Sequence, residues 1–224
     1  MLNYDSFAEQ YDAMVKQGGP RKVHKYIVEQ VSKEMDLSGK ELCDLGCGQG
    51  ELADRLHRLG ARVTGVDYSH AMLDLARKLT AEVLWVRDDA MTLRTLQDES
   101  FDVVVSSIML MDLPDHEAVF RQSHRILKHG GIMIWLVMHP CFQSPFSHPL
   151  DDGARKVYQY APQFWKSHGT GTLRSTLGAY HRPVAEYLNG FMGAGFALKR
   201  VLEPGYETAN DSVIQHFGAI GYKV

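Results

Sequence analysis

The run Leu42-Cys43-Asp44-Leu45-Gly46-Cys47-Gly48-Gln49-Gly50-Glu51, followed by Thr64-Gly65-Val66-Asp67-Tyr68-Ser69, decides how this chain reads. It describes a buried strand, a glycine-rich turn, a helix, and a second strand that ends in an acid. Glycines at the alternate positions 46, 48 and 50 let the backbone turn tightly and approach a ligand where any side chain would clash. Exposed amides in that turn and at the following helix N-terminus favour anionic or polar ligand groups. Asp67 lies 21 positions after Gly46, where a carboxylate leaving the second strand reaches a ribose diol. The pairing implies a nucleoside-bearing cofactor.

The spacing of the glycines separates two cofactor classes. A dinucleotide fingerprint, G-x-G-x-x-G, counted from Gly46 needs its last glycine at position 51, which is Glu51. Gly50 falls one residue early, which disfavours an NAD-dependent oxidoreductase. The pattern Asp44-x-Gly46-x-Gly48-x-Gly50 instead resembles motif I of the class I S-adenosylmethionine-dependent methyltransferases. The resemblance continues in the family's order through Asp67, Asp89-Ala90, Phe101-Asp102-Val103-Val104-Val105-Ser106 and Ile126-Leu127-Lys128-His129-Gly130-Gly131, over roughly residues 40–138. The segment from Tyr4 to Asp12 resembles the family's leading helix.

The resemblance implies a role for each matching residue. Gly46, Gly48 and Gly50 would form the loop that receives the methionine part of S-adenosyl-L-methionine, with Asp44 organising that loop and the methionine amino group. Asp67 would hold the ribose hydroxyls, and Tyr68 would stack beside the adenine. Asp89 would accept from the adenine amino group near the Ala90 amide, with Asp88 as the alternative register. Ser106 would line the cofactor cleft, and Tyr11 would cover the methionine end. Cys47 lies within the same loop and reads as a small filler, because no local His or Asp activates it. Plainer roles also fit some positions: Asp67 as a helix cap, although Ser69 already serves, and Asp88 and Asp89 as solvated loop acids.

Composition bounds the rest. The 224 residues suit one α/β domain, residues 1–224, with N-terminal helices over 1–36 and a lid-like insertion at about 139–182. Hydrophobic residues make up 45% of the chain, enough for a full core, and a net charge of −3 argues against a nucleic-acid surface. Arg21, Lys22 and Lys25 cluster, but Val23, Tyr26 and Ile27 make that stretch an ordinary amphipathic helix. Three cysteines, Cys43, Cys47 and Cys141, give no paired framework and no metal spacing, consistent with a reduced compartment. The start lacks a charged-then-apolar signal region and the apolar runs are strand-sized, so a cytoplasmic protein away from membranes is expected.

Helical patterns over 3–16 and 21–35 are separated by Gly18-Gly19-Pro20. Strand signals at 41–45, 62–66, 82–86, 101–106 and 131–138 alternate with helical ones. These include a helix after Pro114 carrying Val119, Phe120, Ser123 and Leu127 and closed by Gly130. Such alternation predicts a mainly parallel sheet with helices on both faces. Ligands of such sheets gather beyond the carboxyl ends of the strands, so Asp44, Asp67, Ser106 and His139 should face one cleft. After 183–194, again helical, two late strands at 196–203 and 213–222 bring the total to seven. A terminal antiparallel hairpin of this kind matches the Rossmann-like methyltransferase fold. Between 139 and 182, prolines and glycines punctuate Phe142, Phe146, Tyr158, Tyr160, Phe164 and Trp165, the pattern of a functional loop.

Methyl transfer from a sulfonium needs chiefly alignment and exclusion of water, and a base only when the acceptor holds a proton it will not lose alone. The candidates for that base are His139, His181 and Asp112. His139-Pro140-Cys141-Phe142, and His181-Arg182-Pro183 followed by Ala194-Gly195-Phe196 and Glu203-Pro204, resemble a small-molecule subgroup in which the segment between the two histidine motifs caps the acceptor pocket. Arg182, Phe142 and Tyr180 are the acceptor-binding candidates there, and a salt bridge for Arg182 or backbone pairing for either histidine fits as well. The expectation is a methyltransferase, monomeric or homodimeric, acting at oxygen or nitrogen of a small molecule. The alternative is a non-catalytic or regulatory cofactor-binding protein that keeps the fold.

Overall fold

The computed structural model describes residues 4–17, 21–143, 145–168, 173–205 and 214–224. The Gly18-Gly19-Pro20 break, Gly169, Gly171 and the first residue of the late 213–222 strand lie outside them. The chain begins with a short 3-10 turn, Asp5–Phe7, then α1 (Ala8–Lys16) and α2 (Arg21–Glu34). The alternating part follows as β1 (Glu41–Leu45), α3 (Glu51–His57), β2 (Arg62–Asp67), α4 (His70–Leu79), β3 (Leu84–Arg87), β4 (Phe101–Ser107), α5 (His116–Ile126) and β5 (Leu127–Met138). Then come β6 (Ser147–Pro149), β7 (Arg155–Val157), β8 (Gln163–Trp165), α6 (Leu173–Thr176), β9 (Ala179–His181), α7 (Val184–Gly193), β10 (Phe196–Leu202) and β11 (His216–Lys223).

Seven strands form one sheet in the order β10-β11-β5-β4-β1-β2-β3. The five from β5 to β3 pair in parallel, and β11 runs antiparallel between β5 and β10. This is the doubly wound architecture that the strand–helix alternation predicts, terminal hairpin included.

Side chains alternate across a strand, and the central strands are buried on both faces. Val104 on β4, with Met133, Trp135 and Val137 on β5, packs with Phe120, Tyr187 and Phe191 from α5 and α7. Their neighbours Val103, Val105, Ile132, Ile134 and Leu136 pack with Val23, Ile27 and Val31 of α2 and Leu52 and Leu56 of α3. Each such fully buried side chain contributes about 1.5–3 kcal/mol, which is why β4 and β5 read as continuous apolar runs.

Two boundaries differ from the sequence expectation. α5 ends at Ile126 rather than at Gly130: Phe101 pairs with Leu127, and the ladder then resumes with Val103 opposite Ile132. The intervening residues bulge out, with Gly130 at φ 73 and Lys128 donating to Asp102 at 3.0 Å. The insertion at 139–182 is not irregular either. β6 pairs with β7 and β8 with β9 as two small antiparallel ladders, the second of which carries Phe164, Trp165 and Tyr180.

Candidate functional site

The strand ends deliver a cleft of about 760 Å³ beyond β1, β2 and β4, lined by residues that include Gly46, Gly48, Asp67, Tyr68, Asp88, Ala90, Ser107, Ile108, Met109 and Asp112. The glycine loop is its floor. Gly46 has φ 71, and a Cβ there would lie 2.4 Å from Met109 Cγ, so both backbone angle and space demand glycine. Four of the loop amides, those of Gly46, Cys47, Gly48 and Gly50, are bonded within the protein rather than exposed. Gly46 and Cys47 both donate to Val66 O at 2.8 and 3.0 Å, and Gly50 donates to Cys47 O at 3.0 Å. Gly48 N donates to Asp67 Oδ2 at 2.9 Å. The floor is therefore largely an internally bonded surface, with acceptors set around it.

Those acceptors are carboxylates. Asp67 receives Gly48 N on one oxygen and Ser69 N on the other, at 2.9 Å each, and keeps further lone pairs on both. Burial raises its pKa, opposed by the Ser69 and Gly48 amides. Asp44 lies beneath the loop, buried, with Oδ2 lacking a hydrogen-bond partner. Burial pushes its carboxyl up to about 7, the Asp67 charge adds to this, and the Ala53 amide opposes it. Ser107 Oγ is likewise buried without a partner, at the far end of the cleft.

At the other end Tyr68 is 43% exposed, with the Arg87 guanidinium 5.3 Å from its ring centre. Asp88 and Ala90 line the cleft beside it, whereas Asp89 opens on a separate surface hollow. The Asp88 carboxylate accepts from Asp89 N, Thr95 N and Thr95 Oγ1 at 2.6–2.7 Å. Asp89 Oδ1 accepts from Met91 N at 2.8 Å.

The N-terminal segment and α6 close the cleft. Tyr4 and Tyr11 meet edge to face at 6.1 Å, and both line it. Tyr4 OH donates to Asp112 Oδ2 at 2.6 Å, and Arg174 pairs with the other oxygen, Oδ1. Asp5 Oδ1 accepts from Ser69 Oγ at 2.6 Å, fastening the segment to the start of α4. Burial raises the Asp112 pKa, while Arg174 and Tyr4 oppose the shift. Ile108 sits in the cleft wall at φ 58, a left-handed conformation uncommon for a β-branched residue, with its amide donating to Leu136 O at 2.8 Å.

Several residues nominated from sequence lie outside these walls. Ser106 is buried and turns inward; its neighbour Ser107 faces the cleft, the one-residue difference that strand alternation dictates. Cys47 is buried with Sγ toward Gly48 O at 3.8 Å, and burial raises its pKa, which suits a filler. Gly50 caps α3 at φ 88 behind the cleft. Glu51 opens α3 and binds His24 Nδ1 at 3.0 Å and Arg55 at 2.8 Å, so it fastens α2 to α3.

The two nominated histidines are engaged in the scaffold. His139 Nδ1 accepts from Cys141 N at 3.1 Å, so the ring's proton sits on Nε2, which donates to Glu203 Oε1 at 3.1 Å. His181 stacks on Phe146 at 4.1 Å, with Nδ1 3.3 Å from Gln143 Nε2, and burial lowers its pKa. Arg182 is buried and donates to the carbonyls of Leu110, Leu113 and Pro114 at 2.6–3.2 Å. Tyr180 lies over that guanidinium at 5.1 Å, and Phe142 against His139 at 4.5 Å. This group staples the insertion to the segment after β4.

Sequence reasoning missed Tyr4, Ser107, Ile108, Met109 and Arg174. Only Tyr4 had a signal: it stands seven residues before Tyr11, on the same helical face.

An orphaned buried carboxylate oxygen, a second carboxylate at a strand end, and a glycine floor fit a ligand that carries positive charge and a ribose. Residues 43–135 match the methyltransferase domain family. The solved S-adenosylmethionine-dependent methyltransferase from Mesorhizobium loti superposes with a TM-score of 0.73 at 26% identity, over 84% of this chain and 93% of that one. Over residues 43–135 the chain thus matches a methyltransferase domain, and its fold is that of solved S-adenosylmethionine-dependent methyltransferases, whose cofactor is S-adenosyl-L-methionine.

Among particular relatives, a ubiquinone biosynthesis O-methyltransferase from Xanthomonas oryzae pv. oryzae is 33% identical over 135 residues, 57% of this chain and 56% of that protein. One of the same name from Pseudomonas aeruginosa is 29% identical over 189 residues, 82% of this chain and 79% of that protein. The chain therefore spans a little over half the length of the Xanthomonas relative it matches. Among the described residues, no helix is long and apolar enough to cross a membrane.

Proposed function

We propose that this protein transfers a methyl group from S-adenosyl-L-methionine to an oxygen or nitrogen of a small-molecule acceptor. When bound, the cofactor supplies a methyl already activated on a sulfonium. Asp67 and Tyr68 would bind its ribose and adenine side, with Asp88 and Ala90 beside the ring. Asp44, set beneath Gly46 and Gly48, would balance the amino group of the methionine part. The observation that carries the reading is the wall formed by Tyr4, Tyr11, Asp112 and Arg174 over the far end of an acid-lined cleft. With the cofactor bound, that wall would limit water where the methyl must leave, and alignment without competing solvent is what such a transfer needs.

The candidate base within the cleft wall is Asp112, yet Tyr4 and Arg174 already occupy its two oxygens. It serves better as the joint that holds the cover. The relatives' names favour an oxygen as the attacked atom. The test is incubation with methyl-labelled S-adenosylmethionine and a panel of phenols, amines and carboxylates. Labelled organic product is expected from at least one class, with S-adenosylhomocysteine formed in equal amount. Tight cofactor binding with no product from any class would support the non-catalytic alternative.

A further inference from the structure

A second hollow adjoins the cleft at Tyr11, Ile108 and Arg174, and all three residues line both spaces. Its remaining walls are Met14, Val23, Met111, Met138, Gln143, Trp165, Gln215 and His216. The cofactor cleft and this chamber thus share one partition, built by the covering helix α1, the strained residue after β4 and the arginine of α6. In-line methyl transfer needs the acceptor atom in contact with the methyl, so an acceptor held in the second hollow has to meet the donor where the two spaces adjoin, between these three side chains.

The chamber's chemistry is one-sided. Three methionines, Tyr11 and Trp165 provide polarizable surface suited to an aromatic ring. Among the described residues, Arg174 is the one charged group in the lining, and it is taken up by Asp112 and by the carbonyl of Gly178. Burial and the neighbouring His139 lower the pKa of His216 to about 4, so this wall carries no positive charge at neutral pH. The polar groups left are uncharged: the Tyr11 hydroxyl, the His216 imidazole, the carboxamides of Gln215 and of Gln143, whose Nε2 lies 3.3 Å from His181 Nδ1, and the indole N–H of Trp165, which is buried without a hydrogen-bond partner. An unpaired charge against this largely apolar lining would lose part of its hydration and meet no opposite charge, whereas a neutral hydroxyl or carbonyl would find polar neighbours.

We propose that this chamber is the acceptor site and that it takes an uncharged aromatic molecule with a hydroxyl or carbonyl edge. The inference rests on the methyltransferase reading above and adds the acceptor's place and charge. Arg182, Phe142 and Tyr180 stand behind the chamber as scaffold.

The test uses the full chain loaded with S-adenosylhomocysteine and three isosteric probes: 2-naphthol, 2-naphthoate and 2-naphthylmethylamine, titrated by calorimetry. 2-Naphthol is expected to bind at least tenfold more tightly than either charged probe. Trp165→Ala should weaken 2-naphthol at least tenfold and leave the S-adenosylhomocysteine affinity within twofold. Met138→Ala, on the opposite wall, should weaken the same probe and serves if the Trp165 variant does not fold. Preference for a charged probe, or unchanged naphthol affinity in the folded variants, would overturn the assignment. Failure of S-adenosylhomocysteine itself to bind would instead overturn the cofactor reading, so the two failures are distinct.

Discussion

The glycine-loop half of the cleft and its cover are made by different physics. The floor, β1 to β2, is held by short-range backbone demands: positive φ at Gly46 and Gly50, loop amides bonded to Val66 O, and a strand-end carboxylate clamping Gly48. The cover is held by side chains that meet across long stretches of chain. Tyr4 reaches Asp112 across 108 positions, Arg174 reaches Asp112 across 62, and Arg182 reaches Leu110 across 72. A floor of this kind tolerates almost no substitution, whereas a cover held by a few polar contacts can be loosened in steps. The contrast lets cofactor affinity and cover stability be perturbed separately.

The largest effect is expected at the floor. Gly46→Val places a branched side chain at φ 71, against Met109, and should abolish measurable S-adenosylhomocysteine binding by calorimetry. Gly39→Ala, at the same φ with open space around it, should cost about 1–2 kcal/mol of stability and leave binding intact. Equal loss of binding in both variants would erase the distinction between backbone strain and steric fit.

The cover should yield next. Arg174→Met leaves Asp112 buried without its cation, a change worth about 2–4 kcal/mol in a largely buried pair. The melting temperature should fall by about 5–15 °C. Adding Asp112→Asn should recover much of that loss, because the uncompensated charge is gone; no recovery would mean that the pair is not what holds the cover.

Asp44 gives a pH test of the floor. Its folded-state pKa, pushed up to about 7 by burial, lies above the ordinary value of 3.8. Between those values the native state binds more protons than the unfolded one, so this group's contribution to stability falls as pH rises from about 4 to 7. Asp44→Asn should flatten that dependence by at least about 1 kcal/mol in urea unfolding compared at pH 4.5 and 7.5. An identical slope in the variant would mean that Asp44 does not carry the buried charge. The smallest change is Tyr4→Phe, which removes one hydrogen bond to Asp112 and should cost about 0.5–1.5 kcal/mol by the same method.

The same contrast explains what was legible in the sequence. The strand–helix alternation, the Ser69 cap on α4 and the glycine turn follow from local patterns, since each depends on residues within a few positions of one another. Phase within a strand or turn was not legible. Ser106 and Ser107, or Asp88 and Asp89, differ by one residue, yet in each pair the residue that lines the cleft is not the one favoured by motif matching. Punctuation around His139 and His181 marked real structural joints, but their partners Glu203 and Gln143 stand 64 and 38 positions away. The apolar insertion signalled a cover, while Arg174 carried no local mark. The chamber behind Ile108 depends on residues from 11 to 216 that no window of sequence brings together.

The central claim is that Asp67 and the glycine floor grip a positively charged sulfur nucleoside. Calorimetry of S-adenosylmethionine, S-adenosylhomocysteine and NAD against the wild-type chain and Asp67→Ala tests it most directly. The account predicts tight binding of the two sulfur nucleosides, no binding of NAD, and a loss of about 1–3 kcal/mol in the variant, from broken charge-assisted hydrogen bonds. Unchanged affinity in Asp67→Ala, or tight binding of NAD alone, would contradict it.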